Sequence, residues 1–267
     1  MTLVLTLKQE PDQRLDLSPL VPHLVDGKST AEIAAIELQT TREKRTVGDV
    51  FNIKTGDAGA IRFEGGSGRF DNLGAGLKSG EISIEGAVGH AAGHDMSGGR
   101  LTIDGDAGPF AGTGLSGGRL EIKGNAGDFL GAPLDGDMEG VTGGLIIVRG
   151  SVGNRTGDRL RRGTIVIEGA AGDYAGSRII AGTLIVLGGA RRLPGYLMRR
   201  GTIVLGSAAA LSPTFVDCGA HNLVFASVFA RLLRPDSKGA ADLLAKRLRR
   251  FGGDTAVLGK GELFFPA

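Results

Sequence analysis

Apolar and polar residues alternate in short stretches along the middle of the chain, and this pattern predicts β-strands that each bury one face. One such stretch opens the segment GTIVIEGAAGDYAG at Gly163. Copies start 19 residues apart, except for a first step of 21 and one step of 26 that carries an insertion. The copies begin at Gly59, Gly80, Gly99, Gly118, Gly144, Gly163, Gly182 and Gly201.

Counted from the opening glycine as position 1, five positions of each repeat are predicted to face an apolar interior. Position 9 is small and apolar, position 12 is mostly aromatic or apolar, and position 17 is apolar. Such columns predict repeats that stack around a shared core, since no single repeat buries enough apolar surface alone. Positions 3 and 5 hold the pairs Ile61/Phe63, Ile82/Ile84, Leu101/Ile103, Leu120/Ile122, Ile146/Val148, Ile165/Ile167, Leu184/Val186 and Ile203/Leu205.

Glycines at positions 7, 10 and 14 fall between these columns, where the chain must turn. We interpret them as structural turns, because a dinucleotide-binding fingerprint needs one glycine cluster between a strand and a helix. The predicted turn glycines are Gly86, Gly89, Gly93, Gly105, Gly108, Gly112, Gly124, Gly127, Gly131, Gly150, Gly153, Gly157, Gly169, Gly172 and Gly176.

The repeats predict a mainly β fold, a single-stranded parallel β-helix with short α/β caps at both ends. Residues 1–58 form the predicted N-terminal cap, 59–212 the β-helix of about eight coils, and 213–267 a helical C-terminal cap. Ser29 and Glu32 predict a helix start in the first cap. In the last cap, Leu244, Leu248 and Phe251 recur at helical spacing and predict a basic amphipathic helix.

Composition narrows the functional classes. The 267 residues include 47 glycines without a Gly-X-Y rhythm, which excludes collagen. A net charge of +2 argues against a nucleic-acid footprint over the whole surface. The single Cys218 excludes a disulfide framework and a cysteine-ligated cluster built by this chain alone. Without a signal-peptide pattern or 18 consecutive apolar residues, we expect a cytoplasmic protein with no membrane partner.

Candidate catalytic and metal sites are weak, and we predict none. His90 and His94 lie four residues apart, but at a glycine-bounded turn and not on a helix, where that spacing would create a metal site. Cys218 has only His221 nearby, too small a set for nucleophilic catalysis. Acidic residues of the strands alternate with Lys123 and other basic residues, as in a solvated mixed-charge ladder.

Arginines concentrate in the last repeats. Two arginine pairs occupy equivalent corners two repeats apart, so stacking predicts a positive stripe that binds an acidic ligand or subunit; a scattered solvated rim is the alternative. An insertion, APLDGDMEGVT, is predicted to project as a loop from one face. The stripe comprises Arg161, Arg162, Arg178, Arg191, Arg192, Arg199 and Arg200.

The glycine turns after each strand resemble the right-handed β-helix shared by the C-terminal domain of glutamate synthase large subunits and the C subunit of formylmethanofuran dehydrogenase. The resemblance covers nearly the whole chain and is strongest to the C subunit of bacterial formyltransferase/hydrolase complexes, because only nine of the 31 basic residues are lysine, as in high-GC bacterial genomes. Arg191, in place of a position 10 glycine, departs from the pattern in one repeat.

The resemblance implies a non-catalytic scaffold subunit of a complex that converts formyl-tetrahydromethanopterin to formate through a formyl-methanofuran-type carrier. It places that carrier and the metal ions on hydrolase-like, formyltransferase and other partner subunits, and no cofactor on this chain alone. The arginine stripe could then guide a polyglutamate-bearing carrier. Two alternatives stay open: the C subunit of a molybdenum or tungsten formylmethanofuran dehydrogenase, and a stand-alone β-helix carbohydrate-active enzyme.

Overall fold

The computed structural model describes residues 2–267, and most of its regular structure is strand. Five short helices flank the strands: α1 Pro22–Val25, α2 Thr30–Ala34, α3 Val47–Val50, α4 Val224–Leu233 and α5 Lys238–Leu244. The strands are β1 Thr2–Leu7, β2 Leu15–Asp16, β3 Glu37–Leu38, β4 Arg45–Thr46, β5 Phe51–Lys54, β6 Asp57–Glu64, β7 Phe70–Asp71, β8 Glu81–Glu85, β9 Ser97–Asp104, β10 Gly117–Ile122, β11 Leu145–Val148, β12 Thr164–Ile167, β13 Thr183–Val186, β14 Thr202–Leu205, β15 Val216–His221, β16 Leu248–Gly253 and β17 Gly261–Pro266.

The strands of the eight repeats lie side by side in one 13-stranded sheet and pair parallel in chain order. Equivalent positions pair with each other, as Ile82 does with Leu101 and Ile146 with Ile165. A second ladder of single parallel bridges joins position 9 of successive repeats from Val88 to Ala190. The predicted 19-residue register and the predominance of parallel strands are therefore confirmed.

The predicted strand pairs at positions 3 and 5 are all buried, with at most 1% of each residue exposed. Position 17 is also fully buried, but position 12 is not an inward column after Phe70. Phe110 and Phe129 have φ of +61° and +62°, and their half-buried rings stack at 4.8 Å outside the core. Because this left-handed backbone turns position 12 outward, the following small residue, such as Ala111, enters the core.

Two turn glycines show how little room neighbouring repeats leave for a side chain at these positions. Gly112 has φ of +68°, and a Cβ there would lie 2.6 Å from Ile146 Cδ1. Gly108 has no positive φ, but its Cβ would lie 2.5 Å from the carbonyl oxygen of Gly89 on the preceding repeat. The repeats thus approach each other closely at both kinds of corner.

Both caps add strands to the repeat sheet. At the N-terminal end, β1 pairs parallel with β6, and Leu3 and Leu5 continue the inward columns. The predicted helix start at Ser29 is confirmed, since Ser29 and Glu32 form a capping box. At the C-terminal end, β17 pairs parallel with β14.

The predicted amphipathic helix through Leu244, Leu248 and Phe251 is wrong in its second half. Helix α5 ends at Leu244, and Leu248 and Phe251 belong to β16. That strand pairs antiparallel with β17 on one side and β15 on the other. This long-range pairing supplies more backbone hydrogen bonds than one further helical turn, so the C-terminal cap is a mixture of helices and strands.

Helices α4 and α5 cover the outer face of the last repeat strands. There position 4 is apolar and fully buried, at Ile147, Val166, Ile185 and Val204. These side chains form a second apolar cluster with residues of both helices, including Ala230 and Leu244. The outer face of this part of the sheet is therefore a second core rather than a solvated surface.

Candidate functional site

The arginine corners lie at positions 16, 18 and 19 of the three repeats that begin at Gly144, Gly163 and Gly182. The backbone N–H of Ile180 donates to the carbonyl of Leu160 at 2.9 Å, and that of Arg199 donates to Ile179 at 2.7 Å. These bonds hold successive corners in register, so Arg161, Ile180 and Arg199 form one column. With strands about 4.8 Å apart, the two arginines of a column are separated by roughly 10 Å.

Position 16 contributes a neighbouring column of Arg159, Arg178 and Leu197, with φ of +52°, +54° and +56°. All three line one concavity, and Arg161, Arg162 and Arg200 line an adjoining one. The two concavities share Arg199 and Ile180, so they form one surface depression. We name it the arginine groove, defined by Arg159, Arg161, Arg162, Arg178, Arg199 and Arg200.

The insertion folds onto one side of the arginine groove. Arg159 donates to the carbonyl oxygen of Asp137 at 3.0 Å, and Arg161 forms an ion pair with Glu139. Exposed Met138 lies between these two contacts and lines the groove. The predicted loop is thus a wall of the groove.

The segment that joins β16 to β17 lines the other part of the groove with Val257 and Leu258. Buried Asp254 fixes this segment, since its carboxylate accepts from the backbone N–H of Leu197 at 3.0 Å. Apolar side chains therefore stand beside the guanidinium groups.

The electrostatics of the groove are strongly positive. In the part of the chain that the structure describes, two carboxylates pair with its six arginines, those of Glu139 and Asp158. Within residues 2–267, Arg162, Arg199 and Arg200 form no ion pair. An anionic ligand with several carboxylates or phosphates would meet unpaired guanidinium groups here.

Arg178 is held rigidly in this groove. Its Nε donates to Oδ1 of Asp158 at 2.9 Å, and Ser177 Oγ donates to the same oxygen at 2.6 Å. The hydrogen bond to Asp158 raises the pKa of the Arg178 guanidinium above its ordinary value, against the opposing effect of partial burial. Arg178 is a fixed positive charge rather than a free one.

Arg191 and Arg192, predicted to belong to the same stripe, lie elsewhere. They occupy positions 10 and 11, and both pair with Asp173, at 3.7 and 2.7 Å. Hydrogen bonds from the Arg192 side chain and backbone lower the pKa of the Asp173 carboxyl below its ordinary value. Neither arginine lines the arginine groove, so the structure divides the predicted stripe into two sites.

The charged side chains on the sheet face form a paired network. Arg149 donates to Glu121 at 2.6 Å and to Glu168 at 2.8 Å, and Arg119 donates to Glu121 at 3.1 Å. Burial acts to raise the pKa of the Glu121 carboxyl, but the hydrogen bonds from Arg149 and Arg119 outweigh it and lower the pKa. Ser237, the N-cap of α5, donates to Glu168 at 2.7 Å. The network ties the C-terminal helices to the repeats.

The remaining candidates do not converge. His90 lies against Phe110, whereas His94 pairs with Asp95. The ring of His221 meets the carbonyl oxygen of Cys218 at 2.8 Å instead of its thiol. Within residues 2–267 no three His, Cys, Asp or Glu side chains are grouped to hold a metal ion. Over the same range, no helix has the length and apolar character needed to cross a bilayer.

Several residues of the site lie outside the predicted stripe. Arg159, Leu197, Met138, Val257 and Leu258 line the groove beside the predicted arginines. Equivalent positions in stacked repeats could have indicated Arg159 and Leu197, because both share position 16 with Arg178. Nothing local in the sequence indicates the contribution of the segment near Val257, which reaches the groove through long-range strand pairing.

Three comparisons with known proteins give consistent results. The model of the GXGXG motif family matches residues 34–212. The C subunit of the formyltransferase/hydrolase complex Fhc of Methylorubrum extorquens is 51% identical over 263 residues, covering 98% of this chain and 99% of that protein. A chain in the crystal structure of the formyltransferase/hydrolase complex FhcABCD from the same organism, in complex with methylofuran, has a TM-score of 0.94 at 44% identity, with 99% of both chains covered.

Proposed function

The chain belongs to the family of formyltransferase/hydrolase complex C subunits that carry the GXGXG motif, and we propose that it serves as a non-catalytic scaffold in such a complex. The complex would convert formyl-tetrahydromethanopterin to formate through a formyl-methanofuran-type carrier. Hydrolase-like and formyltransferase subunits would supply the chemistry and hold the metal ions. We expect the assembly to be cytoplasmic.

The full-length match is the observation that carries this proposal. The similarity to the Fhc protein spans both caps as well as the repeats, so the chain matches a whole subunit and not one shared domain. Both matches are formyltransferase/hydrolase proteins, which favours this function over a molybdenum or tungsten dehydrogenase and over a carbohydrate-active enzyme.

A right-handed parallel β-helix is the architecture we infer for the scaffold. Two observations support it: equivalent strands pair parallel repeat after repeat, and a second parallel ladder runs along position 9. The resemblance to the family implies the right-handed sense. Such a stack is a stiff rod on which several subunits can bind at fixed separations.

We assign binding of the carrier to the arginine groove. Its unpaired Arg162, Arg199 and Arg200 supply charge for a carboxylate-bearing chain, and Ile180 and Leu258 supply apolar contacts. Arg161 and Arg199, roughly 10 Å apart in one column, would contact carboxylates spaced along an extended chain. The groove would then position the carrier without taking part in bond breaking.

Isolation of the tagged chain from its native cell tests the proposed function. We expect formyltransferase and hydrolase-like subunits in the purified sample by mass spectrometry, and release of formate by the assembled complex. The chain purified alone should release none. Formate release by the chain alone, or recovery of the chain without these subunits, would contradict the proposal.

A further inference from the structure

Helix α4 exposes an apolar ridge that this chain leaves uncovered. Val224, Val228 and Leu232 follow one another at four-residue intervals and are 82%, 56% and 67% exposed. Residues at this spacing lie on one face of a helix. The opposite face of α4, with Ala226, Ala230 and Leu233, is buried in the second apolar cluster, which covers the outer face of the sheet. A helix that is apolar nearly all round is normally buried. We therefore expect the exposed face of α4 to be covered as well.

A shallow apolar groove accompanies this ridge. It is lined by Phe225, Val228, Phe229 and Leu232 of α4 and by the threonines at position 2 of two repeats, Thr183 and Thr202. The groove therefore lies between a helix and the sheet that supports it, so both of its walls are fixed by the fold.

The charge at the border of the ridge is positive. Arg231 is exposed on α4 next to Leu232 and three residues after Val228, so it lies beside the ridge. Within residues 2–267 Arg231 forms no ion pair, and no acidic side chain lines the apolar groove. By contrast, Arg234 at the end of α4 pairs with Asp242 at 3.1 Å. The uncovered surface thus combines an apolar centre with unpaired positive charge.

We propose that this surface of α4 docks another protein of the complex through an apolar segment bordered by carboxylates. A second copy of this chain fits less well, because a two-fold symmetric contact would place each Arg231 against the equivalent positive border. An acidic border on the partner pairs with Arg231, and its apolar side chains fill the centre. This inference rests on the proposed function, since it names a docking face of the scaffold.

The test compares the composition of tagged complexes by native mass spectrometry. The double variant Val228→Asp, Leu232→Asp should lose at least one partner protein, with its recovery reduced at least tenfold. Leu24→Asp is the matched control, because Leu24 is a 48% exposed helical leucine at the opposite end of the chain. This control should retain the full composition.

Two milder variants keep the test decisive if the double variant misfolds. Val224→Asp places a negative charge in the first turn of α4, where the helix dipole favours it, and Arg231→Glu reverses the border charge. Each should weaken recovery of the same partner several-fold while circular dichroism and melting temperature stay near the wild-type values.

Three results would overturn the inference. The first is full composition in the α4 variants, which would leave the proposed function intact. The second is a dimer of the chain alone that Leu232→Asp converts to a monomer. The third is a wild-type chain that recovers no partner, and this result would also remove the proposed function.

Discussion

The guanidinium of Arg178 binds the buried carboxylate of Asp158 on the preceding repeat through two of its nitrogens. Asp158 is 2% exposed, so its charge has no contact with bulk water to replace this partner. The pair links two repeats and also sets the direction of one guanidinium in the arginine groove. A single interaction thus serves both stability and the geometry of the site.

Asp158→Asn should lower the free energy of unfolding by about 1 to 3 kcal/mol, because it leaves Arg178 without its charged partner. Asp242→Asn is the control, since Asp242 and Arg234 are both about half exposed. That change should cost less than about 1 kcal/mol. Urea denaturation of both variants measures the difference, and equal losses would contradict the assigned role of Asp158.

The Glu121 carboxyl should make the free energy of unfolding depend on pH in the acidic range. Its pKa is lowered in the folded protein by Arg149 and Arg119, so the stabilisation is complete above the ordinary value of 4.5 and is lost as pH falls through the lower folded pKa. At pH 7 the free energy of unfolding of the wild type should exceed that of the Glu121→Gln variant by about 1 to 3 kcal/mol. Denaturation between pH 7 and 3 should show this gap closing; a constant gap would disprove the assignment.

Substitution of Ile185 tests the packing of the second apolar cluster, which lies between the sheet and the C-terminal helices. Ile185 is fully buried and packs in the cluster that contains α4 and α5. Ile185→Ala should lower the free energy of unfolding by about 2 to 5 kcal/mol and speed amide hydrogen exchange in α4 and α5. Ser83→Ala is the control, because Ser83 is only half-buried at the same repeat position and lies outside that cluster. A similar small effect of both changes would contradict this packing.

Gly112→Ala tests the positive-φ corner. The substitution requires a left-handed backbone, at about 1 to 2 kcal/mol, and also brings Cβ to 2.6 Å from Ile146. A loss of at least about 2 kcal/mol is expected from calorimetry. Gly68→Ala should change stability little, since its Cβ would have no neighbour within 4 Å. Equal melting temperatures for the two variants would exclude a steric role for Gly112.

The sequence was sufficient to predict the register of the repeats because each strand repeats one apolar pair, as in Ile165/Ile167 and Leu184/Val186. It was insufficient at position 12. There a left-handed φ directs Phe110 outward, and hydrophobicity alone cannot report the sign of a backbone angle. The β16 strand was missed because Leu248 and Phe251 fit a helical spacing, and their pairing with β17 is distant in sequence.

Only part of the arginine groove could be predicted from the sequence. Stacked repeats bring equivalent positions together, so the grouping of Arg161 with Arg199 followed from the 19-residue period. Arg192 was grouped with them by abundance alone, although position 11 lies on another corner beside Asp173. The walls near Met138 and Val257 come from segments outside the repeat, whose placement depends on tertiary contacts.

The affinity of the assembled complex for methylofuran, measured by titration calorimetry, tests the central claim most directly. Replacing Arg161, Arg162, Arg199 and Arg200 with alanine should weaken binding at least about tenfold and reduce its salt dependence, without loss of subunits. The control replaces Arg191 and Arg192, which lie outside the groove beside Asp173, and should bind as the wild type does. A quadruple variant with wild-type affinity would contradict the account.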